Sequence, residues 1–380
     1  MQNPDAIVIG AGIVGASSAL SLTNAGLKVL VIDRGAVSSG TTGAGEGNIL
    51  VSDKDPGPEL TLALHSRNLW FEMQEDVGDS FELEAKGGVV VARHDDAPLM
   101  KLATEQSQHG VDIEKCSQSR LHELEPYLHP DISSGVFYPQ DAQCQPMLAA
   151  AHVIRTVVQR GGAFISQAKV TRIIVENGAV AGIETSRGIF KAQIIVNATG
   201  TWAGELAELA GSHLPIAPRK GFILVTEPTE KYIFHKVYDS DYVANVASSD
   251  ADLQTSTVVE GTRSGTILIG ASRERIGFDG SMNYEILRTL AQQATSLFPI
   301  LRDVALLRAY RGFRPYAPDH LPVIGEDAKV KGLWHSAGHE GAGIGLAPGS
   351  AALITDAILG RESFMDGAPF SPQRFAAVRA

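Results

Sequence analysis

The 380-residue sequence predicts an α/β fold: a Rossmann-like domain interleaved with an α+β domain built on a mainly antiparallel sheet. Three observations predict it. The chain opens on an apolar strand, a glycine turn and a small-residue helix. Its middle alternates apolar and polar residues between turn signals. Its last third repeats the opening pattern with a second glycine-rich strand-to-helix junction. The length exceeds what one hydrophobic core usually supports, so two domains are expected.

The opening reads "DAIVIGAGIVGASSALSLTNAGLKVLVIDRG", Asp5 to Gly35. Ala6–Ile9 are apolar throughout and predict a buried strand. Gly10, Gly12 and Gly15 spell G-x-G-x-x-G, with Ile13 and Val14 inside the motif. The first glycine permits a tight turn, the second lets backbone approach a pyrophosphate, and the third lets the helix lie close on the strand. A helix over roughly 13–25 offers unpaired N–H groups and a positive dipole end to an anion. Gly26 suits a C-cap, and Leu27–Ile32 predict the second strand. Asp33, 23 residues after Gly10, stands where an acid accepts hydrogen bonds from ribose hydroxyls. Strand, turn, helix, strand and acid in this order predict a dinucleotide site.

The next stretch, "RGAVSSGTTGAGEGNIL" from Arg34 to Leu50, contains Thr41, Thr42, Gly47 and Asn48. Its small residues suit close backbone packing against a ligand larger than one nucleotide; a surface loop is the alternative. Leu60–Val77 carry apolar residues at helical spacing. Gly87–Arg93 and Ser133–Cys144 read as strands. Met147–Ile165 read as a helix leading to a strand that returns to the nucleotide-binding domain. Residues 168–200 read as a meander of short strands with a hairpin turn at Asn177-Gly178. Ile194–Val196 form a strand that ends in the small turn Ala198, Thr199, Gly200. That turn either meets the ligand or merely closes the strand beneath a core Trp202. Residues 215–299 alternate in the manner of an antiparallel sheet with one face toward a cavity. The segment 230–255 fits no template and either sets specificity or decorates the surface. The expected boundaries are 1–85, 146–214 and 300–380 for the nucleotide-binding domain, and 86–145 and 215–299 for the other.

Near the C-terminus, "RGFRPYAPDHLPVIG" holds Arg311 and Arg314 beside Pro315. A guanidinium is a planar fork that matches a carboxylate in two parallel hydrogen bonds. The following stretch, "GLWHSAGHEGAGIGLAPGSAALITDAI", predicts a strand over Leu333–Ser336. Gly338, Gly341, Gly343, Ile344 and Gly345 follow, and then a helix from about Pro348. Its N-terminus would stabilise negative charge on a ligand laid against bare glycine backbone.

Composition narrows the function. A net charge of −11 argues against nucleic acid and anionic membranes as partners. No run of about 18 apolar residues predicts a membrane span, and the N-terminus has no basic region typical of a signal peptide. Two cysteines, Cys116 and Cys144, are too few for a disulfide framework or a metal cluster, so a reducing cytoplasmic setting is expected. No Ser-His-Asp set, paired carboxylate block or metal-ligand spacing stands out.

Four blocks together carry a resemblance: the opening motif, "GTTGAGEGN", "IIVNATGTWAGELAELAG" and the C-terminal pair just quoted. The chain resembles the D-amino-acid oxidase superfamily of FAD-dependent oxidoreductases over nearly its whole length. It is most similar to the branch of glycine oxidases, sarcosine oxidases and the β subunits of opine or proline dehydrogenases. The resemblance implies FAD as cofactor. It lays backbone near Val170 against the adenine, and places Ala198, Thr199, Gly200 and Trp202 at the diphosphate and ribose. Arg314 would take the substrate carboxylate, with Arg311 structural. His339 and Glu340 would flank the flavin, His339 being either chemically active or an orienter of the loop. Two departures stand out. No cysteine lies beyond Cys144 to bond FAD covalently as in monomeric sarcosine oxidases. Gly341 replaces a bulky basic residue of glycine oxidase, which opens space and counts against glycine as substrate.

The implied reaction is oxidation of the Cα–N bond of an amino acid or N-substituted amino acid, of opine, imino-acid or sarcosine type. Hydride passes to flavin N5, and the imine product hydrolyses. The stretch "GAGEGNILVSDKDPGPEL" resembles the β-subunit branch, which implies a hetero-oligomer with iron–sulfur or second-flavin companions. Three rivals stay open: a stand-alone oxidase using oxygen, a non-catalytic FAD-bound subunit, and an NAD-dependent dehydrogenase. The last shares the first motif but leaves the C-terminal glycines and Arg314 without a purpose.

Overall fold

A computed structural model describes residues 3–78, 81–241 and 252–375. Part of the 230–255 segment, residues 242–251, lies outside the described residues.

Six strands form a mainly parallel sheet in the order Val323–Glu326, Leu333–Ala337, Ile194–Asn197, Ala6–Ile9, Val29–Ile32 and Ala163–Ile165. Ala6–Ile9 sits centrally, paired in parallel with Ile194–Asn197 on one side and Val29–Ile32 on the other. Its four residues are wholly or almost wholly buried, as an apolar run in a parallel sheet requires. The strand order brings the ends of Ala6–Ile9, Ile194–Asn197 and Leu333–Ala337 together. The three glycine-bearing turns thus meet although they lie far apart in sequence.

Eight strands form the second, mainly antiparallel sheet: Leu306–Tyr316, Ala217–Thr226, Ile267–Arg273, Gln254–Gly261, Lys236–Asp239, Gly88–Ala92, Ser134–Tyr138 and Glu114–Ser117. Its first strand, Leu306–Tyr316, pairs along its whole length with Ala217–Thr226 and does not join the parallel sheet. Arg314 therefore stands on the antiparallel sheet. Residues 215–299 also contain an unforeseen helix, Tyr284–Leu297, which buries Ile286, Leu290, Ala294 and Leu297 on one stripe. Asn283 caps it by accepting from the N–H groups of Glu285 and Ile286. Helices Ala97–Ser107 and Gln118–Leu124 were likewise not foreseen.

The last long helix starts at Gly343, one turn before the expected Pro348, and runs to Leu359. A proline inside a helix removes one ladder bond, and here a neighbouring helix, Pro58–Val77, compensates. Trp70 donates through its indole N–H to the Ile344 carbonyl (3.0 Å), the acceptor Pro348 leaves unused. Ser66 inserts beside it, donating to the Gly345 carbonyl (2.7 Å) and accepting from the Gly349 N–H (2.9 Å). A Cβ at Gly349 would lie 2.8 Å from Leu62, so this contact needs a bare backbone. The sequence alone places the start of this helix at about Pro348. The partners that carry the helix past it come from residues about 280 positions away.

Candidate active site

One cavity of about 490 Å³ runs between the two sheets. It is lined by Gly10, Gly12, Ile13, Val14, Asp33, Arg34, Thr41, Thr42, Asn48, Val170, Ala198, Thr199, Gly200, Trp202, Arg314, His339, Gly341, Gly343 and Ile344. These are all the predicted site residues except four glycines, which pack behind the wall. A Cβ on Gly15 would overlap the Gly10 carbonyl, and one on Gly47 the Cys144 carbonyl. One on Gly338 would lie 2.9 Å from Ile216, and one on Gly345 3.3 Å from the Asn48 carbonyl.

At one end the wall is backbone. Gly10 has φ +113°, and a side chain there would strike the Ala198 carbonyl. Asp33 accepts from the N–H groups of Ala11 and Gly35, each at 2.7 Å, so the acid also fixes the glycine turn. Each carboxylate oxygen keeps a further lone pair for a ribose hydroxyl. Thr42 accepts from the Ile13 N–H at 3.0 Å and caps the first helix from a distant loop. Trp202 is a wall residue, not a core one: the Arg34 guanidinium lies 3.9 Å from its ring centroid and Phe278 stacks on it at 5.5 Å.

The Ala198–Gly200 turn has support that sequence reading missed. Asn197 accepts from Thr199 (2.7 Å) and donates to the Ala203 carbonyl and to His335 Nδ1. His335 then donates through Nε2 to Asp327 (2.9 Å), which also accepts from Ser212. The chain is fully buried at Asn197 and His335. Burial alone would raise the Asp327 carboxyl, but the His335 and Ser212 hydrogen bonds and two backbone N–H groups bring it down to about 2.

Toward the other end the wall carries charge. Arg314 crosses the bare backbone of Gly221 and donates to the Ser272 carbonyl at 2.8 Å. A Cβ on Gly341 would meet nothing nearer than Arg314, at 3.6 Å, so the space expected there exists. Glu340, with φ +47°, lies beside it and bonds Arg219 (3.2 Å) and His320 (2.8 Å). His339 is buried, and its Nε2 lies 2.9 Å from Ser350 Oγ. Desolvation lowers its pKa to about 4, so the ring is neutral at pH 7.

Sequence reading also missed a buried charge cluster at this end. Lys236, on the antiparallel sheet, donates to Glu260 (3.0 Å), to Glu46 (3.3 Å) and to Asn48. Glu46 accepts from the Asn48 amide as well (3.0 Å). No local signal joins residues 46, 48, 236 and 260.

The residues present fit a flavin dinucleotide. They offer a helix N-terminus and small residues at three converging turns, an acid beside the first turn, and a buried Ser336 hydroxyl on the cavity wall that has no partner. Among the described residues no cluster of metal-ligand type occurs, and no helix is long and apolar enough to cross a membrane.

Comparison with known proteins agrees. The family model for FAD dependent oxidoreductases (DAO) matches residues 5–357. The chain is 26% identical over 378 residues to the glycine oxidase of Pseudomonas putida, covering 97% of this chain and 98% of that one. Its fold is similar to the crystal structures of glycine oxidase from Geobacillus kaustophilus and L-proline dehydrogenase from P. horikoshii. The TM-scores are 0.89 and 0.90, each at 24% identity, covering 98% and 99% of this chain and 99% and 98% of those chains. With its glycine cradle, its acid and its two-sheet cavity matched from residue 5 to residue 357, the chain belongs to the DAO family of FAD-dependent oxidoreductases.

Proposed function

We propose that the enzyme oxidises the Cα–N bond of an amino acid or an N-substituted amino acid, of opine, imino-acid or sarcosine type. One observation carries the reading: Arg314, a guanidinium fork, lines the same cavity as the glycine cradle and faces the open space at Gly341. Bound FAD supplies the hydride acceptor. Arg314 holds the substrate carboxylate and so fixes where Cα sits. The bond to the Ser272 carbonyl fixes the arginine in turn. The N-terminus of the helix Gly343–Leu359 favours negative charge at the cofactor end of the cavity. The substrate nitrogen forms a double bond to Cα as the hydride departs, and water then releases the amine from the imine. No dedicated base is needed when the amine reacts in its neutral form.

We further infer that electrons leave through companion subunits carrying iron–sulfur centres or a second flavin. The β-subunit-like stretch from Gly43 to Leu60 supports this. Direct use of oxygen is the second reading, favoured by full-length similarity to a glycine oxidase. A reducing cytoplasmic setting is supported by two free, buried cysteines.

The test is a visible spectrum of the purified chain under nitrogen. Amino acids, imino acids and opines are added in turn, then air. Bleaching by one class identifies the substrate class. Fast recolouring in air indicates an oxidase, and slow recolouring a dehydrogenase awaiting its partner. A yellow protein that no amine bleaches sinks the catalytic reading.

A further inference from the structure

The charge cluster contains one atom that the fold does not use. Glu46 is 8% exposed and lines the cavity, yet only its Oε2 is engaged, by Lys236 and Asn48. Its Oε1 is buried and accepts no hydrogen bond. A buried carboxylate oxygen without a donor is costly, and native structures seldom leave one. Burial works against ionisation, but Lys236, the Asn48 amide and Arg314 outweigh it and hold the carboxyl below its usual range. The oxygen is therefore a charged acceptor awaiting a donor.

Its position is defined by the sheet beneath. Oε1 lies where a side chain on Gly270 would be, and Arg314 lies where one on Gly221 would be. The ladder pairs Leu224 with Ile269, which puts Gly221 and Ile223 on the same face as Gly270. Arg314 bonds the carbonyl of Ser272, two residues from Gly270. The guanidinium and the free carboxylate oxygen thus stand over one face about two strand residues apart, on the order of 7 Å. The carboxylate and nitrogen of a single Cα, with a hydrogen bond of about 2.8 Å at each end, bridge such a gap.

We propose that Glu46 is a specificity-determining residue: its Oε1 accepts an N–H from the protonated nitrogen of the incoming substrate while Arg314 holds the carboxylate. The pair then selects zwitterions and rejects carboxylates that carry no nitrogen on Cα. Lys236 and Asn48 keep the carboxylate ionised and aimed, and the bound ammonium gives its extra proton to water before the hydride leaves, so that the amine still reacts in its neutral form. The assignment rests on the amino-acid reading above.

The experiment compares ligands on the FAD-loaded protein under nitrogen, following the flavin band. Sarcosine and both enantiomers of proline are titrated beside their carbon isosteres, butanoate and cyclopentanecarboxylate. The best amino acid should bind the wild type at least tenfold more tightly than its isostere. Glu46→Gln should erase that preference while leaving isostere affinity within about twofold. Arg314→Ala should weaken both series. A wild type that shows no preference, or a Glu46→Gln protein that keeps it or loses both series equally, overturns the Glu46 assignment. Unchanged binding of both series by Arg314→Ala removes the carboxylate reading instead. Should Glu46→Gln fail to fold, the wild type gives the answer. Dimethylglycine, with one N–H, should bind at least tenfold more tightly than trimethylglycine, which has none. Equal affinities overturn the proposal.

Discussion

The two ends of the cavity are built by different physics. At the Asp33 end the wall is main chain: Gly10, Gly12 and the Ala198–Gly200 turn present N–H groups and no bulk. Toward Arg314 the wall is side chain, with Arg314, Glu46 and Glu340 on the cavity and Lys236 and Glu260 behind Glu46. A cradle made of backbone N–H groups favours an anion and is intolerant of a methyl group. A cluster made of ions tolerates shape changes and fails when one charge is removed. The comparison can be broken at either end.

The largest effect is expected at the charged end. Replacing Lys236 with methionine preserves much of its volume and leaves Glu46 and Glu260 facing each other without the ammonium. Removing one partner of a buried ion pair typically costs about 3–5 kcal/mol. Urea unfolding at pH 7 should register that loss. Part of it should return as the pH is lowered, because Glu46, which Lys236 helps to hold ionised, then takes up a proton more readily. A variant as stable as the wild type at pH 7 would show the cluster to be solvated in practice.

His339 sharpens the contrast, since it sits on the cavity wall but carries no charge. Its folded pKa of about 4 lies below the ordinary 6.5, with desolvation as the cause. The unfolded chain therefore binds the proton first. Stability is fully present above about pH 6.5, falls as the pH drops, and levels off below about 4. The total is about 3 kcal/mol. His339→Asn should flatten that part of the stability profile and leave the spectrum of bound flavin in place. An unchanged slope would assign the pH dependence to other groups.

The same division explains what could be read from sequence. The backbone end was legible because each turn is local: a strand, a few glycines and a helix fall within one short window. Asp33 was legible for the same reason. The charged end was legible only at Arg314, where "RGFRP" matches a family pattern, and at Glu340, which the same resemblance places beside the flavin. Glu46 and Asn48 sit in the loop already singled out, but their partner Lys236 is about 190 positions away and Glu260 lies on yet another strand. No periodicity encodes that meeting; sheet register does. The helix across Pro348 was misjudged on the same account, since Ser66 and Trp70 supply what the proline removes.

The smallest predicted effect probes the backbone end most directly. A Cβ on Gly12 would lie 2.9 Å from Thr42 Oγ1, the atom that accepts from the Ile13 N–H. Gly12→Ala should push that hydroxyl aside and uncap the first helix, at a cost of about 1 kcal/mol. Thr42→Ala should cost about the same through loss of the same bond. If the two act on one contact, the double variant should be little worse than either alone, a coupling that chemical denaturation of all four proteins measures. Full additivity would mean that the methyl group harms something other than the cap. The cofactor adds a second reading. Gly12→Ala places its methyl on the wall itself and should loosen flavin binding more than Thr42→Ala does, as release of yellow colour on dialysis would report. Equal retention by both would locate the sensitivity in the helix cap, and the close approach of backbone to ligand at Gly12 would lose its support.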